Sequence, residues 1–165
     1  MNVVLLEPEI PHNAGAIGRI CAAAGARLHL IRPLGFDTSE KAVRRAGMDY
    51  WRFLDINYYD DYAHFEQENG GDLFFATTKA VNRYTDVSYG ENCYIVFGKE
   101  SAGLPEELLA KNKSRCIRIP MRENARSLNL SVSAGIILYE ALRQNGFGGL
   151  TAEGNLHRLE WENEL

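Results

Sequence analysis

Residues 117–144, IRIPMRENARSLNLSVSAGIILYEALRQ, carry a strand end, a polar loop and an amphipathic helix in one unbroken run. Ile117 and Ile119 flank Arg118 with the alternation of a short strand, and Pro120, which has no backbone N–H, ends the ladder there. Downstream, Leu130, Ala134, Ile137, Leu138, Ala141 and Leu142 fall on one face of a helix that closes at Gly146. Strand and helix both need a core. The loop between them is therefore held at both ends, while Arg122, Glu123, Asn124, Arg126, Ser127, Asn129 and Ser131 make it too polar to pack. Polar loops fixed by rigid neighbours are where ligand contacts concentrate.

The rest of the chain supplies a sheet for this unit. Val3 to Leu6 reads as a buried strand, 7–13 as a loop stiffened by Pro8 and Pro11, and Ile17, Ile20, Cys21 and Ala24 as one face of a helix that Gly25 stops. Leu28 to Ile31 completes a βαβ unit, which implies parallel strands, a right-handed crossover and ligands at the carboxyl ends of the strands. Leu73 to Ala76, Tyr94 to Phe97 and 117–119 add three more strands, and Thr77-Thr78-Lys79 turns off the first of these. Helices are expected over 39–48, 60–68 and 106–111, the last behind Pro105. The fold class is α/β, a Rossmann-like, mostly parallel sheet flanked by helices, in one domain over 1–150 followed by a tail, 151–165.

Composition narrows the function. The formal net charge is −4, but residues 153–165 hold four glutamates against Arg158, which leaves about −1 for the rest and room for a basic face. Lys41, Arg44 and Arg45 form one such cluster; matching to a helix dipole and a phosphate-facing role weigh equally for it. Cys21, Cys93 and Cys116 are odd in number, lack C-x-x-C spacing and sit in apolar surroundings, so buried thiols are expected rather than a metal site or disulfides. The first residues hold Glu7 and Glu9 and no basic, apolar signal, and no apolar run reaches about eighteen residues, so a cytoplasmic protein without a membrane span is expected.

Two glycine-rich stretches fail as nucleotide sites. Gly15-Ala16-Ile17-Gly18 lacks the first glycine of G-x-G-x-x-G, and the second strand ends in Arg32 and Pro33 without a ribose-binding acid. Gly98-Lys99 has Cys93 in place of the first glycine of a phosphate loop and Glu100 where a hydroxyl would meet magnesium.

Three loops remain, each behind a strand. PHNAGAIGR with Asn13 and Arg19, FGKESAGLP over 97–105, and IPM followed by RSLNLSVSAGIILYEA together resemble the three signature motifs of the SpoU/TrmH family of SPOUT RNA methyltransferases. Within it, EPEIPHNAG, RRAGMDY at 44–50 and the single domain are most similar to the small tRNA 2′-O-methyltransferases that act on the wobble nucleotide. The tail departs from that pattern.

The resemblance implies a C-terminal deep trefoil knot whose crevice binds S-adenosylmethionine. The close backbone approaches of a knot suit Gly98, Gly103 and Gly135, although ordinary helix packing is the stronger account of Gly135. Main-chain groups around Ala76, Thr77, Gly98, Gly103, Ile119 and Met121 would hold the cofactor, with Leu128 as an apolar wall and Glu100, Ser127 and Asn129 fixing the loops. Arg19 would be catalytic, orienting the reacting nucleotide's phosphate, with that phosphate or a transiently neutral guanidinium taking the proton, and Asn13 would hold it in place. Lys41, Arg44, Arg45, Arg126 and Tyr139 would touch the RNA. The implied substrate is cytidine or a modified uridine at position 34 of tRNA, with leucine tRNAs first in line. Another tRNA or rRNA position, and a non-catalytic knotted RNA-binding module, stay open beside it. Val132, Ile136 and Tyr139 give the last helix a second apolar face, which implies a homodimer built on it.

Overall fold

The computed structural model describes residues 1–39, 42–43, 51 and 54–161. Seven strands form one sheet: β1 (Asn2–Leu6), β2 (Arg27–Ile31), β3 (Ile56–Tyr59), β4 (Leu73–Ala76), β5 (Asn82–Arg83), β6 (Tyr94–Phe97) and β7 (Cys116–Arg118). Their spatial order is β3-β2-β1-β6-β4-β7-β5, and every pairing is parallel. Helices α1 (Pro11–Ala24), α2 (Tyr62–Glu68), α3 (Glu106–Lys111) and α4 (Leu130–Gln144) accompany them, with a 3-10 turn over Lys113–Arg115.

The pleat divides the core. Val3, Leu5, Leu28, Leu30, Ile95, Phe97 and Ile117 face α1 and α4, where they meet Ile17, Cys21, Ala134, Ile137, Leu138 and Ala141. Val4, Leu6, Ile31, Phe75, Val96 and Cys116 face the other way, toward Phe65 of α2 and Leu109 of α3. Burial on both faces is why these strands read as continuous apolar runs rather than alternations. Gly25, in the left-handed region at φ 63°, closes α1 and sends its N–H to the Cys21 carbonyl.

The structure departs from the sequence expectation in several places. The helix of the βαβ unit starts at Pro11, so Asn13 belongs to its first turn and not to a loop. Two strands escaped notice: β3 is half-buried and polar, and β5 has only two residues. The strand expected at 117–119 runs over Cys116–Arg118 and leaves Ile119 beyond it. This strand pairs with β4 on one side and β5 on the other. Gly135 makes no backbone approach: a Cβ there would meet only Ile20 Cδ1, at 3.3 Å, so it serves the packing of α4 on α1. All three cysteines are buried and free. The cluster Lys41, Arg44 and Arg45, most of the expected 39–48 helix and RRAGMDY lie outside the described residues. No helix among the described residues is long and apolar enough to cross a membrane.

One buried polar network braces the α2 face. Asn2 Nδ2 donates to the carbonyls of Asn92 and Cys93, so its Oδ1 is the atom left to accept from His29 Nε2 at 3.2 Å. His29 Nδ1 lies 2.9 Å from the Tyr59 hydroxyl, which also reaches Asn69 Oδ1 at 3.5 Å. Burial of the ring disfavours its charged form and lowers its pKa from 6.5 to about 4. Between those values the unfolded chain binds the proton that the folded one refuses. Stability from this group is therefore full above pH 6.5 and is lost as the pH falls toward 4, by at most about 3 kcal/mol. Urea titrations of the parent and His29→Gln at pH 7, 5.5 and 4.5 should show a steeper acid loss in the parent; parallel losses would rule this out.

Candidate active site

The carboxyl ends of β1, β4, β6 and β7 deliver four loops to one place, and the residues closing each loop are specific. At the end of β6, a Cβ on Gly98 would sit 2.1 Å from the Gly103 carbonyl carbon and 2.3 Å from the Leu104 nitrogen. Only glycine tolerates that backbone approach. Gly103 takes φ +71°, and its N–H donates to the Lys99 carbonyl at 2.8 Å, so 98–104 folds into a closed loop.

Three successive residues of that loop fasten it to the segment before α1. Lys99 Nζ pairs with Glu7 at 2.5 Å. Glu100 accepts from the backbone N–H groups of Glu9 (2.8 Å) and Ile10 (3.3 Å) and from Asn13 Nδ2 (2.9 Å). The Glu9 carboxylate accepts in turn from the Ser101 N–H and hydroxyl, both at 2.8 Å. These bonds hold the Glu9 carboxyl below its ordinary range, and the Glu7 carboxylate holds the Lys99 ammonium above its own. The start of α1 has no side-chain cap of its own and carries Pro11 at its beginning. The Glu100 carboxylate thus meets the free N–H groups before the helix and sits where the dipole favours an anion.

Asn13 passes this order to the third loop. It is 4% exposed, and its Oδ1 accepts from Asn129 Nδ2 at 3.0 Å. Asn129 Oδ1 caps α4 through the N–H groups of Ser131 (2.9 Å) and Val132 (3.3 Å) and also accepts from the Ser131 hydroxyl (2.6 Å). Glu100, Asn13 and Asn129 therefore form a chain of side chains that ties all three motif loops together.

The loops enclose a cavity of about 480 Å³. Ala76, Thr77, Gly98, Glu100, Gly103, Ile119, Met121, Ser127, Leu128 and Asn129, the residues expected at a cofactor, all line it, as does Asn13. The walls join aliphatic side chains to main chain. The charged groups on them are Lys79, Lys99, Glu100 and Arg118, and Lys79 is paired with Glu106 of α3 at 2.5 Å. No histidine lines the cavity, and no metal-binding cluster of His, Cys, Asp or Glu occurs among the described residues.

Arg19 is placed differently. It lies on the exposed side of α1 and outside the lining, six residues beyond Asn13. Arg126 and Tyr139 are exposed and also outside the lining. Sequence reasoning missed Glu9, Ser101, Lys79 and Arg118. Glu9 and Ser101 flank motif residues and could have been suspected; nothing local marks the other two.

A profile of the SpoU rRNA Methylase family matches residues 1–139. The chain belongs to the SpoU methylase family. This SpoU methylase is 46% identical over 151 residues, 90% of its chain and 96% of the relative, to the tRNA (cytidine(34)-2'-O)-methyltransferase of Escherichia coli strain K12. It is 52% identical over 155 residues, 92% of its chain and 99% of the relative, to a Geobacillus stearothermophilus protein that carries the same name provisionally. Among solved structures, one concerned with the 2-OH methylation of C/U34 on tRNA superimposes with a TM-score of 0.82 at 43% identity, covering 88% of this chain and 95% of the other. An AdoMet-bound rRNA methyltransferase from Sinorhizobium meliloti gives 0.74 at 30% identity, covering 86% of this SpoU methylase and 55% of that chain.

Proposed function

We propose that this SpoU methylase transfers a methyl group from S-adenosylmethionine to the ribose 2′-hydroxyl at position 34 of tRNA, on cytidine or a modified uridine. The observation that carries the proposal is the convergence of three motif loops, tied through Glu100, Asn13 and Asn129, on one cavity. Its near full-length likeness to the E. coli enzyme supports position 34 over other tRNA or rRNA sites.

The residues present fit the cofactor. A cavity of about 480 Å³ lies within the range of small-molecule sites, and a Cβ at Gly98 would collide with the Gly103 and Leu104 backbone that forms part of its wall. Ile119, Met121 and Leu128 offer apolar walls to a purine, and the loop backbone offers its polar edge partners. When bound, S-adenosylmethionine supplies a methyl on a sulfonium, which a ribose oxygen must approach in line. Asn13 and Glu100 hold the α1 terminus and the closed loop in fixed relation, which positions the reactants and removes much of the entropic barrier. Glu100 is engaged by three donors and is not free to act as a base. Arg19 orients the phosphate of the reacting nucleotide.

The same reading includes a homodimer and the knot. Val132 and Tyr139, 50% and 44% exposed on α4, support a second copy seated on this helix. The last helix packs directly on α1, so a second copy seated there would also approach the helix that carries Arg19. The strand order, with β6 set between β1 and β4 and β7 beyond β4, supports a knotted crossing behind β6; a crystallographic trace over 73–144 checks it.

The decisive assay incubates the full chain with methyl-labelled S-adenosylmethionine and tRNA transcripts, leucine tRNAs first, and maps the product by mass spectrometry. A 2′-O-methyl group at position 34, made by a species sedimenting near twice 18.5 kDa, is expected. Methylation of a base or of another position, or activity in a species of 18.5 kDa, would overturn the corresponding part.

A further inference from the structure

Arg19 apart, the arginines of the described residues fall into two groups. Five spread over the fold, Arg83 and Arg115 among them, each face a carboxylate at 2.8 to 3.5 Å. The side chains of Arg118, Arg122 and Arg126 have no hydrogen-bond or ion-pair partner among the described residues, and outside this segment only Arg158 of the tail shares that condition. The chain has 22 acidic residues against 18 basic ones, so counter-charges are not scarce. Exposed ion pairs contribute little to stability, and the segregation is therefore better read as a field than as a stabilising device.

Its local construction supports that reading. Arg83 and Arg118 are neighbours in register across the parallel pair β5 and β7. Asp86 grips the Arg83 guanidinium at 2.9 and 3.1 Å and neutralises it. Arg118 receives no such partner and lines the cavity. Four residues on, Arg122 is exposed and opens a turn, its carbonyl accepting from the Ala125 N–H at 3.0 Å. Unpaired guanidinium groups thus run from the cavity outward along the loop that leaves β7. Lys111 and Lys113, also unpaired, lie before this strand and not on the loop.

We propose that Arg118 and Arg122 form a phosphate track that seats the RNA backbone on the β7 side of the cavity mouth. The proposal rests on the tRNA reading above and adds a second line of contact to the Arg19 helix. Guanidinium forks match phosphate oxygens in pairs, and a ribose presented to the cavity brings phosphates on both of its sides. The ligand is a phosphodiester backbone, so the contact is indifferent to sequence and fixes register.

The test uses the full chain, an unmodified tRNA transcript and two variants, Arg122→Gln and the double variant Arg118→Gln/Arg122→Gln. Binding is followed by fluorescence anisotropy across a salt series. For single-stranded contacts each lost phosphate lowers the salt slope by about 0.7, so the double variant should lose about 1.4 in slope and about tenfold in affinity at low salt. Its affinity for S-adenosylhomocysteine, read by calorimetry, should stay within about twofold. An unchanged salt slope overturns the track, and so does a tenfold loss of S-adenosylhomocysteine affinity with RNA binding intact, which would make Arg118 a cofactor group. A parent chain that binds no tRNA overturns the tRNA reading itself, an outcome distinct from either.

Discussion

Arg19→Ala should lower methyl transfer by about 10³-fold or more while S-adenosylhomocysteine affinity changes by no more than a few-fold. The separation follows from the geometry: Arg19 is outside the lining, whereas every group expected to touch the cofactor is in it. The side chain is exposed on a helix fixed at its start by Pro11 and Glu100, so truncating it removes a charge and leaves the cavity standing. A lost contact that positions the reacting phosphate costs rate through orientation and electrostatics. Single-turnover transfer and calorimetry on the same preparation read both quantities. A collapse of cofactor affinity would move Arg19 into the cofactor site and sink its assignment to the nucleotide.

Gly98→Ala should have the other large effect, and of the opposite kind. The added methyl would lie 2.1 to 2.4 Å from Gly103 and Leu104 backbone atoms, which cannot yield as a flexible side chain would. The loop must open, and overpacking of this severity costs about 3 kcal/mol. Because 98–104 lines the cavity, S-adenosylhomocysteine affinity should fall about a hundredfold together with the unfolding midpoint. Gly90→Ala is the matched control, since a Cβ there meets nothing within 4 Å. Binding of S-adenosylhomocysteine by Gly98→Ala within threefold of the parent would show that the close approach does not shape the site.

What the sequence made legible follows physical lines. The central strands were visible because burial on both faces leaves them only apolar choices, and α4 was visible because its stripe repeats at the helical period. β3 and β5 carry no such imprint: one is half-buried at the rim of the sheet, the other two residues long. The start of α1 was obscured because its anion is not local. Pro11 marks a first turn, but the carboxylate serving the terminus comes from Glu100, some 90 positions away. The site shows the same split. Motif spacing pointed to the loops that line the cavity, whereas the partnership of Glu9 with Ser101 spans 92 positions and exists only once β1 and β6 lie side by side.

The shortness of β5 has its own outcome. A parallel sheet ending at β7 would offer another chain a row of open N–H and C=O groups, the usual template for strand addition and aggregation. Two residues of β5 and the N–H of Tyr84 take up that row, while the Asn82 amide spends its hydrogens on the carbonyls of Ser114 and Cys116. What remains outermost is a two-residue strand closed by the Arg83–Asp86 pair, too short and too charged to recruit a neighbour. On this flank the molecule resists growth by strand exchange, and a neighbouring chain finds no ladder there to extend.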